Sequence, residues 1–167
     1  MESKPTDRVP DEARAWDMRG TTISSIEERL VELRRHLDHL RDLRPRGWSA
    51  AALRRNLSLH NDTLFSLLAV SQLVVGVAGG LSARRGLPFE NDAGAMRNLL
   101  AYPEIEPELA GQLEALSDFR KVLIRELGAV DLERVVEELG RLDLIERFLA
   151  AVRNIEAAAE ERGTGVG

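Results

Sequence analysis

Two groups of basic side chains are the residues in this sequence whose types and spacing could do chemistry. The first group is Arg120, Lys121 and Arg125, which stand within six positions of one another. The second lies in residues 43–61, a stretch without any acid that holds Arg44, Arg46, Arg54 and Arg55. A guanidinium can hold two oxygens of a phosphate through parallel hydrogen bonds. These groups therefore indicate local binding of a phosphate backbone. The competing interpretation is a solvated helix face whose arginines pair with neighbouring carboxylates.

Other kinds of reactive site find no support in the sequence. The absence of cysteine excludes disulfides, thiolate metal ligands and thiol nucleophiles. The three histidines, His36, His39 and His60, are too few and too badly spaced to predict a zinc site. No glycine-rich phosphate loop and no His-Glu-x-x-His helix occurs. We therefore expect no metal and no cofactor. The net charge of −5 also argues against a protein that coats nucleic acid generally.

The elements that position these side chains are predicted to be helices throughout. The sequence has 26 leucines and 19 alanines against seven aromatic residues, a composition that favours helix over strand. Apolar stripes with helical spacing begin at Ile26, Leu109 and Val135. They predict an all-α fold, an antiparallel up-and-down bundle of four long helices plus one short helix. We expect a flexible N-terminal arm over 1–22, the bundle over 23–162 and a disordered tail over 163–167.

Capping residues and helix breakers predict where the helices begin and end. Ser49 is the expected N-cap of the second helix, and Asp131 that of the last helix, which should run unbroken to about residue 162. Pro107 suits the first turn of the helix before it. A short helix is expected over 92–101. The paired glycines at 79–80 are expected to end the second helix.

The second helix contains an unusual segment, because residues 63–83 carry no charge. Its length meets the criterion for a membrane span. We nevertheless favour a buried helix of a water-soluble bundle, since Ser66, Ser71 and Gln72 interrupt the segment and the other helices are amphipathic. A helix that is apolar all round exposes too much apolar surface for a monomer of this size. We therefore expect a homodimer and no membrane contact.

The residues around Arg120 resemble a known family. Phe119-Arg120, followed without a gap by Val130-Asp131, resembles the signature region of the HepT-like proteins of the HEPN superfamily. That family has Phe-Arg-Asn, an R-x-x-x-x-H-x-Y motif counted from the Arg, and then Val-Asp or Ile-Asp opening the last helix. Residues 55–62 resemble an upstream helix of the family, and the whole resemblance covers roughly residues 25–157. It implies a small all-α protein encoded beside a minimal nucleotidyltransferase as a toxin–antitoxin pair.

The motif of this chain departs from the family pattern at three positions. Arg125 stands at the family histidine, Leu127 at the family tyrosine and Lys121 at the family asparagine. In active members the Arg and His are thought to cleave RNA without a metal, and the Tyr accepts AMP from the partner transferase. The resemblance therefore implies that no modification site exists at Leu127.

The substitution at Arg125 removes the proton-transfer half of the motif. A base must take the proton of the ribose 2′-hydroxyl, but a guanidinium stays protonated at physiological pH. Loss of one general acid–base group removes about 10²–10⁴-fold of the rate. His60 is a poor substitute, because two helical residues, or about 200° of rotation, separate it from Asp62. The resemblance thus implies a phosphate-binding Arg120 without its catalytic base.

Two residues of the second helix are expected to support Arg120. Asp62 and Ser66 stand where the family has Glu and Asp, and Asp62 could orient the guanidinium through a charge-assisted hydrogen bond. Arg120 and Arg125 are five residues apart and diverge by about 140° on an unbroken helix. A shared phosphate site therefore requires a loosened turn or a second subunit. We expect Arg120 to point into a cleft near Asp62 or Ser66, with Arg125 more exposed at the rim.

The favoured hypothesis is a cytoplasmic, homodimeric HepT-like protein with weak or no ribonuclease activity. Its expected partners are a minimal nucleotidyltransferase and RNA or a nucleotide. A cytoplasmic location is expected because the N-terminus lacks an apolar signal segment. The main alternative is a non-catalytic accessory or substrate-binding subunit of a minimal nucleotidyltransferase, which the loss of both His and Tyr favours. A helical scaffold with an unrelated role and a membrane-associated protein stay open as lesser alternatives.

Overall fold

Seven α-helices and one 3-10 turn make up the computed structural model, which describes residues 22–44 and 48–165. The helices are α1 (Thr22–Leu43), α2 (Ala50–Arg55), α3 (Leu57–Arg84), α4 (Asp92–Asn98), α5 (Pro107–Arg125), α6 (Leu132–Leu139) and α7 (Asp143–Thr164), with the 3-10 turn at Leu99–Ala101. The described residues contain no strand, so the predicted all-α fold is confirmed. Residues 1–21 of the predicted arm lie outside the described part. The last helix extends two residues into the predicted tail.

The core forms along the predicted apolar stripes. Every stripe residue of α1, from Ile26 to Leu43, is buried. The long helix α3 packs against α1, α4 and α5. Phe119 of α5 and Phe148 of α7 are the largest fully buried side chains. Burial of this apolar surface, about 25 cal/mol per Å², is the main force that holds the helices together.

The paired glycines do not end the second helix, and that prediction is wrong. α3 continues through them to Arg84, and the chain turns only at Gly86, whose φ of 65° suits a residue without a side chain. A Cβ on Gly80 would lie 3.1 Å from Cγ1 of Ile26, and one on Gly76 would lie 3.0 Å from Nε of Arg29. The glycines therefore let α1 approach α3 closely.

Two of the predicted long helices are interrupted. The predicted N-caps are confirmed, because Ser49 Oγ accepts a hydrogen bond from Ala52 N and the Asp131 carboxylate accepts one from Glu133 N. The second helix nevertheless breaks at Asn56, whose side chain accepts a hydrogen bond from Leu59 N and caps α3. A side chain of this type competes with the helical backbone for its donors. The last helix breaks after Leu139 in a turn over residues 140–142.

One helix of the described residues, α3, is long and apolar enough to cross a membrane by length and composition alone. Half of its most apolar window is buried inside the bundle. The side chains that make it apolar, such as Val70, Val74 and Leu81, are therefore core residues of the fold.

Candidate functional site

Arg120 lies in the last turns of α5, with its side chain directed at α3 and α4. Its Nη1 donates a hydrogen bond to Gln72 Oε1 of α3 at 2.7 Å, and its Nη2 forms a very close ion pair with Asp92 Oδ2 of α4. The side chain is only 15% exposed. Its Nε is buried without a hydrogen-bond partner among the described residues. Arg120 is thus held between two helices, and among the described residues its buried Nε–H has no hydrogen-bond partner.

The position of Asp92 follows from how α4 begins. Asn91 caps the helix, because its Oδ1 accepts a hydrogen bond from Gly94 N at 2.8 Å. The Phe89 ring fills the space beside two glycines. A Cβ on Gly79 would lie 3.3 Å from Phe89 Cζ, and one on Gly94 would lie 3.3 Å from Phe89 Cβ. The first turn of α4 is therefore anchored against α3, which places the Asp92 carboxylate at Arg120.

Asp62 and Ser66 are not the partners of Arg120, which corrects the predicted geometry. The helix that Arg120 contacts is the expected one, but the contact is at Gln72, six residues beyond Ser66 and ten beyond Asp62. At a rise of 1.5 Å per residue, these spacings correspond to about 9 Å and about 15 Å along α3. Ser66 is buried in the bundle and Asp62 is half-buried. The hydrogen bonds of Arg120 leave both of them out.

The other two basic residues of the motif point elsewhere. Arg125 ends α5, is 70% exposed and donates a hydrogen bond to Glu126 of the following turn. Lys121 pairs with Asp118 one turn earlier, at 3.7 Å. α5 stays helical through Arg125, and the chain loosens only over residues 126–129. The expectation that Arg125 is more exposed than Arg120 is confirmed, and the two side chains diverge within one chain as the helix geometry requires.

Three large apolar side chains are exposed on α3 and around the end of α5, namely Phe65, Ile124 and Leu127. Phe65 is 67% exposed, and the other two are about half exposed. Phe65 precedes Gln72 by two turns on α3, and Ile124 follows Arg120 by one turn on α5, so each shares a helix face with a member of that hydrogen bond. We call these three residues the exposed apolar face.

The second basic group of the sequence lies in the segment that includes α2. Arg54 and Arg55 are exposed in the last turn of α2. The guanidinium of Arg44 lies 5.9 Å from the ring centre of Trp48 in a cation–π contact. Arg46 lies outside the described residues. Neither Arg54 nor Arg55 forms an ion pair with a described acid, so this part of the surface carries positive charge.

The three histidines form no common site. The His36 ring packs edge-on against Phe65, with 5.9 Å between ring centres. His39 is exposed on α1 and His60 is half-buried on α3. Within the described ranges, no group of three or more His, Asp or Glu side chains could hold a metal ion.

An open cavity of about 440 Å³ lies between α5, α6 and α7 and contains none of the predicted site residues. Its polar lining is formed by Gln112, Glu138, Arg141, Asp143 and Arg147. Burial raises the pKa of the Glu138 carboxyl, against the opposing effect of Arg141 and Arg134. Both cavity arginines already bind side chains, Arg141 to Glu138 and Arg147 to Glu106 and Gln112. The cavity therefore offers no free cation for a phosphate.

Gln72 and Asp92 are the site residues that the sequence interpretation missed. A signal for Gln72 existed, because it is the only side-chain amide in the uncharged segment 63–83. In the structure Gln72 lies on the exposed side of α3, so the signal is its isolation among uncharged residues and not its burial. Asp92 gave no comparable signal, since an acid in the first turn of a helix is common for electrostatic reasons alone.

Comparison with known proteins gives a clear result for the fold. No protein-family model and no curated protein matches the sequence. The tri-AMPylated HEPN toxin of Shewanella oneidensis, solved in complex with its MNT antitoxin, matches with a TM-score of 0.67 at 14% identity, over 77% of this chain and 96% of that chain. A toxin–antitoxin complex with AMP-PNP matches with a TM-score of 0.68 at 14% identity, over 77% of this chain and 97% of that chain. A mutant toxin–antitoxin complex of MntA matches with a TM-score of 0.65 at 16% identity, over 77% of this chain and 97% of that chain. The chain therefore has the fold of HEPN toxins, which confirms the resemblance inferred from the motif.

Proposed function

We propose that this chain is the HepT-like component of a toxin–antitoxin type module, with a minimal nucleotidyltransferase as its partner and weak or no ribonuclease activity of its own. The observation that carries the proposal is the combination of fold and motif. Arg120 occupies the family arginine position on a helix of a bundle shared with HEPN toxins. The matching structures are complexes with an MNT antitoxin, which supports a nucleotidyltransferase as partner. Arg120, Arg125 and Lys121 are the residues proposed to contact phosphate, and a cytoplasmic location accords with such a role.

The low activity follows from side-chain chemistry at two positions. Arg125 cannot act as a base, because its guanidinium holds its proton throughout the physiological pH range. Its exposed position also keeps it away from Arg120 within one chain. Leu127 has no hydroxyl that could accept an AMP group. These two replacements support a protein that binds an RNA phosphate or a nucleotide without processing it.

A homodimer is part of the proposal, and the exposed apolar face is the surface we assign to it. Phe65, Ile124 and Leu127 expose large apolar side chains, and the first two lie on helix faces that also carry Gln72 and Arg120 respectively. A second copy would cover this surface and could bring its own Arg125 toward Arg120, because a two-fold interface places the same patch on both subunits.

Sedimentation tests the dimer. The wild-type chain is expected to be dimeric at micromolar concentration, and Phe65→Glu should shift it to monomer because a charge would be buried at the interface. Leu100→Glu is the matched control, since Leu100 is also exposed but lies in the 3-10 turn that precedes α5 in the chain. A wild-type monomer, or equal dissociation by both variants, would count against this interface.

An RNA-cleavage assay tests the assigned activity. The wild-type chain should leave RNA intact, and the double variant Arg125→His with Leu127→Tyr should gain cleavage, because it restores a base and a hydroxyl to the motif. Adding Arg120→Ala to that double variant should remove the gain. Efficient cleavage by the wild-type chain that survives in a His60→Ala variant would contradict the account of the motif.

Co-purification tests the partner and separates the two forms of the hypothesis. We expect the product of a neighbouring nucleotidyltransferase gene to co-purify with this chain when both are expressed. If it does and the restored motif gains no cleavage, the accessory or substrate-binding subunit is the better description. If no such partner binds, the toxin–antitoxin assignment fails.

A further inference from the structure

We propose that Asp92 acts as an internal competitor for phosphate at Arg120, so that an anion binds the arginine only by displacing the carboxylate. The inference rests on the proposed function only for the identity of the anion, the phosphate of RNA or of a nucleotide. Asp92 is a positioning residue in this view, since it acts on the ligand through Arg120. It is not part of the motif that defines the resemblance.

Three of the five N–H donors of Arg120 are bound or buried. A guanidinium has five N–H donors, and phosphate recognition uses two parallel ones. One donor of Nη1 is taken by Gln72, one of Nη2 is taken by Asp92, and the Nε–H is buried without a partner. The other two N–H donors belong to a side chain that is only 15% exposed, so a phosphate must compete with Asp92 for the guanidinium. The Asp92 carboxylate occupies the position that a phosphate oxygen would need.

The negative charge of Asp92 also opposes the binding of an anion at Arg120. Asp92 is itself mostly covered, so its negative charge is poorly screened and lies in contact with Arg120. A phosphate that reaches this ion pair meets a nearly neutral pair of groups. Displacing the carboxylate would cost one charge-assisted hydrogen bond, which corresponds to about a tenfold to hundredfold loss of anion affinity. Gln72 contributes no charge, and it can hold the guanidinium both when Arg120 is paired with Asp92 and when Arg120 binds an anion.

The ion pair is built into the fold, because both of its helices are fixed by further contacts. Asn91 and Phe89 anchor the first turn of α4, as described above. The far end of α4 is tied to α5 by the Arg97–Glu114 ion pair at 3.1 Å. Access for an anion therefore requires displacement of the Asp92 side chain or of the first turn of α4.

Oligonucleotide binding tests the inference directly. The probe is a fluorescein-labelled single-stranded RNA, titrated at several salt concentrations. Asp92→Asn should bind it about tenfold to hundredfold more tightly than the wild type. The slope of log K against log salt should become steeper by about one unit, because one more phosphate contact releases its counterions. The double variant Asp92→Asn with Arg120→Ala should return to wild-type affinity or below.

The matched control is Asp118→Asn. This substitution removes one negative charge from the same helix, but Asp118 is exposed and pairs with Lys121 instead of Arg120. A gain equal to that of Asp92→Asn would mean that net charge alone is responsible, and the inference would be wrong. It would also be wrong if the wild-type chain bound the RNA through Arg120, as judged by loss of binding in Arg120→Ala, and Asp92→Asn gained nothing.

A second measurement covers the case in which Asp92→Asn does not fold. The Nε–H signal of Arg120 can be followed by NMR in the wild-type chain during titration with pyrophosphate. We expect the chemical shift of this signal to stay constant up to millimolar pyrophosphate, since Asp92 is bound to the guanidinium. A change in the chemical shift at micromolar pyrophosphate would overturn the inference. Binding of pyrophosphate by Asp92→Asn tests the competitor even if no RNA substrate or nucleotidyltransferase partner is found. A failure of the proposed function is therefore distinguishable from a failure of this inference.

Discussion

The ion pairs around Glu146 make the stability of the bundle pH-dependent in a defined way. Glu146 on α7 accepts hydrogen bonds from both Nη atoms of Arg34, with Nη2 to Oε2 at 2.7 Å, and a very close one from Arg41. Both arginines lie on α1, so one carboxylate joins α7 to α1. These contacts, above all the hydrogen bonds to Arg34, lower the pKa of Glu146 from 4.5 to about 2.

The size of the effect follows from that pKa. At 1.36 kcal/mol per unit, the shift corresponds to an upper limit of about 3 kcal/mol of folding free energy. The Glu146 side chain is 30% exposed, and solvent screening reduces the expected contribution to about 1–2 kcal/mol. Because the folded-state pKa is the lower one, the contribution is complete above pH 4.5 and is lost as the pH falls toward 2.

The contribution of Glu146 to the free energy of unfolding can be measured by urea unfolding of the wild type and Glu146→Gln at pH 7 and pH 3. The variant should be less stable by about 1–2 kcal/mol at pH 7, and the difference should shrink by more than half at pH 3. Glu106→Gln is the matched control, because Glu106 also binds an arginine, Arg147 at 2.8 Å, but is 72% exposed. Its cost should stay below about 0.5 kcal/mol. Equal costs for the two variants, or a difference that does not change with pH, would refute the reasoning.

Three further sets of substitutions test the packing and capping of the bundle, each by urea unfolding at pH 7. Gly111→Ala should stabilise by about 0.5–1 kcal/mol, because a Cβ there meets nothing within 4 Å inside a helix, whereas Gly80→Ala should destabilise by about 1–3 kcal/mol by forcing α1 away; equal effects would contradict the close α1–α3 crossing. Tyr102→Phe should cost about 1 kcal/mol, because the Tyr102 hydroxyl donates a buried hydrogen bond to the Leu81 carbonyl near the end of α3. Asp131→Ala should cost about 1 kcal/mol by removing the cap of α6, and Asp131→Ser should recover most of it.

The number and layout of the long helices could be predicted because they depend on a local repeat. Leucines at helical spacing define a face for each helix, and a chain of this length can bury such faces only by packing them together. Every stripe residue of α1 is accordingly buried. The caps at Ser49 and Asp131 were predictable for a similar reason, since each bonds a backbone N–H only two or three residues away.

The interruptions and the paired glycines could not be predicted from the same local signals. Gly79 and Gly80 carry a strong local signal for a helix end, but the side chains packed against them, Phe89 and Ile26, come from outside α3. Packing against those side chains decides that α3 continues. The break at Asn56 is the opposite case, in which a side chain that could face solvent inside a helix instead caps the next one. Tertiary contacts choose between such states, and one sequence does not reveal them.

The candidate site likewise has one feature that the sequence could predict and one that it could not. The inward direction of Arg120 follows from helical spacing, because Arg120 lies four residues after the buried Leu116 and three before the buried Leu123. The sequence could therefore predict that it contacts the apolar helix. Its acidic partner depends on a loop of seven residues between α3 and α4 and on the ring of Phe89, which set where α4 begins. A family motif contains no information about that loop. The arginine of the motif can therefore be present in the sequence and still be neutralised in the fold, and activity cannot be inferred from the motif without the residue that faces it.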